Sequence, residues 1–454
     1  MQLLRRTLLA LGFAAALASC TALAPSTAPP IVFVHGNGDS AALWMTTLWR
    51  FESNGWPRDR LFALNMPYPT ARDDDTKPQE GRSSTDDQMR TLAAEVERVR
   101  KATGAAKVVL IGNSRGGNAI RSYIQYGGGV DTVSHAILGG TPNHGVWANA
   151  GFRPNNEFNG AGPFLTALNA PKGANGDEVT PGVAWLTIRS DNNDKYAQPD
   201  GVWIGAKGTP TNVTFDGPAL KGATNVVLPG RDHREVSYHA QAFAQAYRFI
   251  TGRDPATVSI TPESRVVLDG QVTSTGPGGP TNLPLAGAMV EVYATDPASG
   301  ERRGAPLVKT TVGADGRWGP LATDSGTPLE FVVSATGYAT HHVYRSAFAR
   351  SSSIVHLRPE RLADADRAAA AVVTFVRPRG YFGLPRDQIR FDGHNPVPGV
   401  PPGVAGVASS KIALGSAADR AVVGEYRSGA IAERVVGRVW PAGDNHLVTL
   451  ELHH

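Results

Sequence analysis

The sequence predicts an α/β fold: a doubly wound, mostly parallel sheet followed by two smaller all-β domains. Three observations carry this. Between residues 30 and 255, short apolar runs alternate with amphipathic stretches, as when buried strands are joined by helices. After Pro255 the pattern changes to short alternating strands broken by turn residues. The chain has 454 residues with 51 Gly and 33 Pro, too long for one ordinary domain and rich in turns.

The first twenty residues read as a targeting segment. Arg5 and Arg6 precede an apolar run, Leu8 to Leu17, of signal-peptide length. That run is too short to anchor stably across a bilayer. It ends in Leu17-Ala18-Ser19-Cys20, which resembles the lipobox of bacterial lipoproteins, and Cys20 is the sole cysteine. The resemblance implies export, lipidation of Cys20 and attachment to a membrane of the cell envelope. The alternative is a plain secretory signal with Cys20 incidental, and Arg5-Arg6 also fits twin-arginine export. With one cysteine, no internal disulfide forms. Residues 21–29 are a small-residue tether.

The α/β part, 30–255, is expected to begin with strands at Ile31–Val34 and Leu61–Leu64. A helix follows over Thr85–Lys101, opened by a capping box at Thr85-Asp86-Asp87-Gln88. Met89, Leu92, Val96 and Val99 give it one apolar face. Next come a strand at Val108–Ile111, a helix from about Gly117, and strands at His135–Leu138, Ala184–Ile188 and Val226–Leu228. A helix at Tyr238–Ile250 closes the set. The stretch 141–183, with Trp147, Phe152, Phe158 and Phe164, is a long insertion that reads equally as an apolar lid or as a helical insertion packed permanently on the core. Residues 256–360 and 361–454 are expected to form the two β domains. A net charge of +4 with no dense Lys/Arg block argues against a nucleic-acid surface.

One stretch carries chemistry. Val108 to Ile120 reads VVLIGNSRGGNAI, with Ser114 inside Gly112-x-Ser-x-Gly116. The motif alone is weak. A strand before it and a helix after it make it a strained turn that exposes a serine at the sheet edge. A serine hydroxyl needs a base, and the base needs an orienting acid. The acid is expected just past a strand. Asp191, Asp194 and Asp200 follow Ala184–Ile188. The base is expected past the next strand, at His233, with His239 as rival. Negative charge on a reacting carbonyl also needs fixed N–H donors. One is the backbone of Arg115, next to the serine.

These segments resemble bacterial lipases and esterases of the α/β-hydrolase superfamily. The shared stretches are VHGNGD, GNSRGG, LGGTPNHG, SDNNDKYAQP and GRDHREV, within residues 30–252. The resemblance implies Asp194 as the acid, because an Asp followed five residues later by Pro marks the lipase acid loop. It also implies Asn37, after His35-Gly36, as the second oxyanion donor, with His35 structural. Where many lipases carry His before the nucleophile, this chain has Asn113. Residues 258–357 resemble a transthyretin-like β-sandwich, and the C-terminal β part resembles the lipid- or substrate-binding part of archaeal-type lipases. The implied activity is serine hydrolysis of lipid-like or short-chain esters through an acyl-enzyme, without metal or organic cofactor. Two alternatives are a depolymerase of aliphatic polyesters, and a non-catalytic surface lipoprotein that binds lipid or glycan.

Overall fold

The computed structural model describes residues 28–454, so the expected signal segment and Cys20 lie outside the described residues. The α/β half contains β1 (Ile31–Val34), α1 (Met45–Ser53), β2 (Leu61–Leu64), α2 (Thr85–Thr103), β3 (Val108–Asn113) and α3 (Arg115–Tyr126). It continues with α4 (Gly129–Thr132), β4 (Val133–Gly139), α5 (Pro163–Leu168), β5 (Ala184–Arg189), β6 (Thr224–Val227), α6 (Glu235–Tyr238) and α7 (Ala240–Thr251). The six strands form one sheet in the order β2-β1-β3-β4-β5-β6, and every pairing is parallel.

Alternate residues of the buried strands feed two separate cores. Ile31, Phe33, Val109 and Ile111 face Trp44, Phe51, Phe243 and Tyr247 on the α1 and α7 side. Val32, Val34, Val108 and Leu110 face Leu92, Val96, Val99 and Ile120 on the α2 and α3 side. The period of two along each strand puts consecutive apolar residues on opposite faces. The capping box of α2 starts one residue before the expected position. Ser84 is the cap, and its side chain and the Asp87 carboxylate satisfy each other's backbone N–H groups. Thr85 instead donates its hydroxyl to Asp75 at 2.6 Å.

The sequence reading missed α1, a nine-residue helix in which Thr46, Thr47, Arg50, Glu52 and Ser53 interrupt the apolar residues. It buries both sides. Phe51 joins the sheet core, while Met45 and Trp49 enter the core of the following β part. The Trp49 indole donates to Ser351 O at 3.0 Å. The two halves are therefore packed together across this helix.

The β part contains β7 (Arg265–Leu268), β8 (Thr273–Gly276), β9 (Gly279–Pro284), β10 (Met289–Ala294), β11 (Val308–Thr311), β12 (Leu321–Asp324), β13 (Leu329–Ser334) and β14 (Thr340–Arg345). After it come β15 (Ala371–Val376), β16 (Gln388–Phe391), β17 (Ser409–Leu414), β18 (Ala421–Ser428), β19 (Ile431–Arg438) and β20 (His446–Glu451). One seven-stranded sheet runs β11-β10-β13-β14-β20-β15-β17. In it β20 lies parallel between β14 and β15. The segments 256–360 and 361–454 thus share a continuous sheet. Val290, Trp318 and Phe331 center the core at one end, and Phe375, Phe391 and Leu450 center it at the other. No helix among the described residues is long and apolar enough to cross a membrane.

A chain ending at residue 360 loses β15, β17 and β20 and leaves β14 as a bare apolar edge, a template for aggregation. It is expected to express as insoluble protein. The measurement is its soluble fraction beside the full chain, and a soluble, cooperatively unfolding fragment would show that the two β segments fold independently.

Candidate active site

Ser114 sits between β3 and α3 with φ 51° and ψ −121°. A non-glycine residue held at such a positive φ stores about 1–3 kcal/mol of strain. Close packing imposes the turn. A Cβ on Gly112 would lie 2.7 Å from Ile120 Cδ1 and 2.8 Å from Gly117 N, and one on Gly116 would collide with the carbonyl oxygens of Val34 and His35. Only glycines allow strand and helix this near. The Ser114 N–H is fixed on Gly139 O at 2.9 Å.

His233 lies in the loop between β6 and α6. Its Nδ1 is 2.9 Å from both carboxylate oxygens of Asp194. Asp194 is steadied in turn by the Tyr196 N–H, 2.8 Å from Oδ1. With Nδ1–H donated to a carboxylate, Nε2 is the acceptor nitrogen. That Nε2 is buried and has no hydrogen-bond partner among the described residues. Ser114 and His233 line the same cavity of about 250 Å³. The structure therefore brings Ser114, Asp194 and His233 to one place.

The rival residues have other work. Asp191 accepts from Asn193 N and Gly230 N, an Asx turn that shapes the loops. Asp200 accepts from Val202 N in a similar turn. His239 caps α7 through Gln241 N and lies beside Arg231, and burial lowers its imidazole to about 4.

Asn37 lines the cavity, and its side chain accepts from Ala71 N at 2.8 Å. Its own N–H takes no acceptor among the described residues. Arg115 opens α3, so its N–H has no partner one turn earlier. His35 is buried, bonds Gly36 O through Nδ1 and accepts the Met66 N–H at Nε2, 3.0 Å away. Burial pushes its imidazole below the usual histidine range, so it is a neutral brace for the loop.

The Arg115 side chain forms a bidentate pair with Glu157 at 2.8 and 2.6 Å, both side chains 2 % exposed. Glu157 belongs to the insertion 141–183. Asn156 also donates to Arg72 O and Asp73 O. A buried ion pair and these bonds pin the middle of that insertion onto the nucleophile turn.

Several residues that sequence reasoning missed hold the catalytic loops. Asn113 Nδ2 donates to Ser237 Oγ at 2.8 Å and to His233 O at 3.3 Å. Asp232 and Glu235 flank His233 and are fully buried. Asp232 Oδ1 accepts from the N–H groups of Arg234 and Glu235, and Glu235 Oε2 accepts from Asp232 N. Their charge is met from the C-terminal β segment. Arg377, also fully buried, donates to Asp232 Oδ2 at 2.9 Å, Glu235 Oε1 at 2.6 Å and Tyr238 Oη at 2.9 Å. Arg386 adds 2.7 Å to Glu235 Oε2. Burial, reinforced by the Glu235 charge, pushes the Asp232 carboxyl up against the pull of Arg377 and Arg386. Burial opposes ionisation of Glu235 too, yet the two guanidiniums hold its carboxyl down to about 2.

The cavity wall is shared likewise. Trp147 and Phe158 come from the insertion, Trp203 and Ile204 from the loop after β5, and Tyr381 from the C-terminal segment. Lys195, next to Asp194, places its ammonium 3.9 Å from the Tyr381 ring center and donates to Gly406 O at 3.0 Å. A larger cavity of about 440 Å³ shares Tyr196 and His233 with the first and is lined by Asp194 and Phe215. Acids beside a histidine were visible in GRDHREV. Nothing local marked Arg377 or Tyr381 as their partners.

A hydroxyl on a strained strand-to-helix turn and a carboxylate-oriented imidazole thus line the same cavity, the pattern that serine hydrolysis requires. Residues 28–157 match the family Lipase (class 2), and residues 264–362 match the Lipase C-terminal domain. These two matched stretches are lipase domains in the proteins that define the families, and they support a carboxylic-ester hydrolase. Among solved structures the chain is similar to the Bacillus licheniformis lipase BlEst2 in its propeptide form, at 16 % identity and TM-score 0.36, over 92 % of this chain and 94 % of that one. The mature form of that lipase is 20 % identical with TM-score 0.35, over 50 % and 95 %. Phospholipase PlaB from Legionella pneumophila is 12 % identical with TM-score 0.35, over 94 % and 93 %.

Arg377→Met leaves Asp232 buried without its close guanidinium and Glu235 with Arg386 alone. Breaking such a buried pair costs about 3–5 kcal/mol. Urea unfolding of the variant is expected to show that loss. Its kcat on a soluble ester is expected to fall under conditions where the protein is still folded. An unchanged midpoint and kcat would mean that the network does not support the His233 loop.

Proposed function

We propose that Ser114 is the nucleophile of a lipase or esterase reaction, with His233 as its base and Asp194 as the orienting acid. Ser114 Oγ attacks the ester carbonyl while His233 Nε2 takes its proton. His233 returns that proton to the leaving alcohol, which leaves an acyl-enzyme. Water, activated by the same imidazole, then releases the acid. Asp194 keeps Nδ1 protonated and stabilises the imidazolium. The N–H groups of Asn37 and Arg115 receive the developing oxyanion, a contribution of about 3–4 kcal/mol per donor. The observation that carries this reading is the His233 imidazole. One nitrogen is locked on Asp194, and the other is a buried acceptor without a partner in the cavity that holds Ser114.

The cavity also supports a substrate class. Its wall includes Asp73, Arg82, Arg153 and Arg234 beside the aromatic rings, and its volume is about 250 Å³. A small, partly charged cavity suits short acyl chains better than long ones. Hydrolysis of p-nitrophenyl esters from acetate to palmitate, with Ser114→Ala alongside, tests both statements. Highest kcat/KM is expected on the short esters, with Ser114→Ala nearly inactive. Asp194→Asn is expected to lose on the order of 10⁴-fold in kcat through the wrong tautomer. A fully active Ser114→Ala variant would remove the proposed nucleophile, and a palmitate optimum would remove the chain-length reading.

We further infer from Leu17-Ala18-Ser19-Cys20 that the enzyme is exported and anchored through lipidated Cys20. Labelled palmitate is expected to enter the wild type and not Cys20→Ala, and the variant is expected to leave the membrane fraction. Equal labelling of both would point to a plain secretory signal.

A further inference from the structure

A third cavity, of about 240 Å³, lies where the loop after β1 meets β14 and the segment after β15. It is several times the roughly 30 Å³ share of one water molecule. It shares only Asp39 with the cavity around Ser114.

Three guanidiniums line it, from three separate places in the chain: Arg345 on β14, Arg358 in the segment beyond, and Arg379 after β15. Arg345 and Arg379 are 4 % and 2 % exposed. Each is held by part of its fork. Arg345 Nη2 meets Glu451 at 2.9 Å and donates to His356 O at 3.0 Å. Arg358 uses Nε and Nη2 on Thr273 Oγ1, Thr281 O and Asn282 Oδ1. Arg379 uses Nε on Ala42 O, and Nη1 on Leu452 O and His453 O.

That leaves Arg345 Nη1, Arg358 Nη1 and Arg379 Nη2 on the accessible cavity side, and Arg345 Nε buried, none of which has an acceptor among the described residues. Arg358 and Arg379 also form no ion pair among the described residues. The lining carboxylates do not balance them. Asp39 pairs with Arg234 at 3.3 Å, Glu451 is taken by Arg345, and Glu360 is exposed at the rim. Three guanidiniums crowded on one small cavity, with N–H groups free on its side, favour an anionic acceptor there.

We propose that this cavity binds a small tetrahedral oxyanion, phosphate or a phosphate monoester. Its oxygens accept from Arg345 Nη1, Arg358 Nη1 and Arg379 Nη2. Donors arriving from three separate segments suit a tetrahedral anion better than a planar carboxylate, which matches a single guanidinium fork. The bound anion cross-links the halves, because Arg379 holds the loop after β1 while Arg358 holds Asn282. Asn282 donates to Asp39 O and Met66 O in the α/β half. The site is separate from ester hydrolysis and does not depend on Ser114.

The test is a titration of the full chain with inorganic phosphate at constant ionic strength, read by melting temperature and by calorimetry. A saturable rise in Tm with one site per chain is expected, as for any ligand that binds only the folded state. The double variant Arg358→Gln, Arg379→Gln is expected to weaken binding at least tenfold. Phosphorus NMR line broadening on the wild type gives a second readout if that variant does not fold. A parallel titration with glycerol phosphate separates sources. Binding there admits a headgroup-type monoester, and binding of phosphate alone confines the site to the free anion. A response no greater than that to chloride, several weak sites, or unchanged binding in the Gln variants overturns the proposal.

Discussion

The buried fork of Arg377 is the contact on which the site depends. The His233 loop is short, and its two flanking acids point inward, where a lone carboxylate would protonate or pull out to water. Arg377 and Arg386 make it favourable for both to stay. The acids in turn hold the backbone N–H groups of residues 232, 234 and 235. The imidazole between them inherits a fixed backbone and needs only Asp194 to set its ring. In the same way, Asn282 of β9 donates to carbonyls on both sides of the oxyanion loop, at Asp39 and Met66. The C-terminal β part thus serves as structural support for the loops of the candidate site.

At the nucleophile the logic is steric. Ser114 is strained because β3 and α3 approach so closely that only glycine fits at 112 and 116. The strain is contained by bonds around it: Ser114 N–H on Gly139, Asn113 on Ser237, and Arg115 on Glu157. The insertion 141–183 takes part through Glu157. It behaves as one wall of the site, tied to the turn that carries the serine.

Local pattern was enough to read much of this. Continuous apolar runs marked β1, β3 and β4 within a residue or two, because strands buried on both faces have no polar positions. The order serine, acid, histidine after successive strands pointed to Ser114, to one of three aspartates and to His233; the resemblance to a lipase acid loop singled out Asp194, which the structure brings to His233. The readings that failed were those in which a residue's partner is remote. Helix α1 is short, and its few apolar residues divide between two different cores. The cap at Ser84 was displaced because Thr85 is taken by Asp75. Arg377 and Tyr381 look like ordinary β-strand flanks, and only the folded chain brings them to His233. The shared sheet was equally hidden, since β20 enters between β14 and β15 from far along the sequence.

The distance along the chain of these supports has a consequence for timing. Asn282 reaches back 216 residues to Met66, and Arg377 reaches back 145 to Asp232. Contacts of such high sequence separation form late in folding, after the entropy of closing long loops has been overcome. The parallel sheet with Ser114 can assemble early from local β-α-β units. The histidine loop gains its final geometry only when the distant β segments dock. A half-made or half-folded chain therefore carries Ser114 without a settled His233 loop, and under the proposed function it would hold the nucleophile before its base is in place.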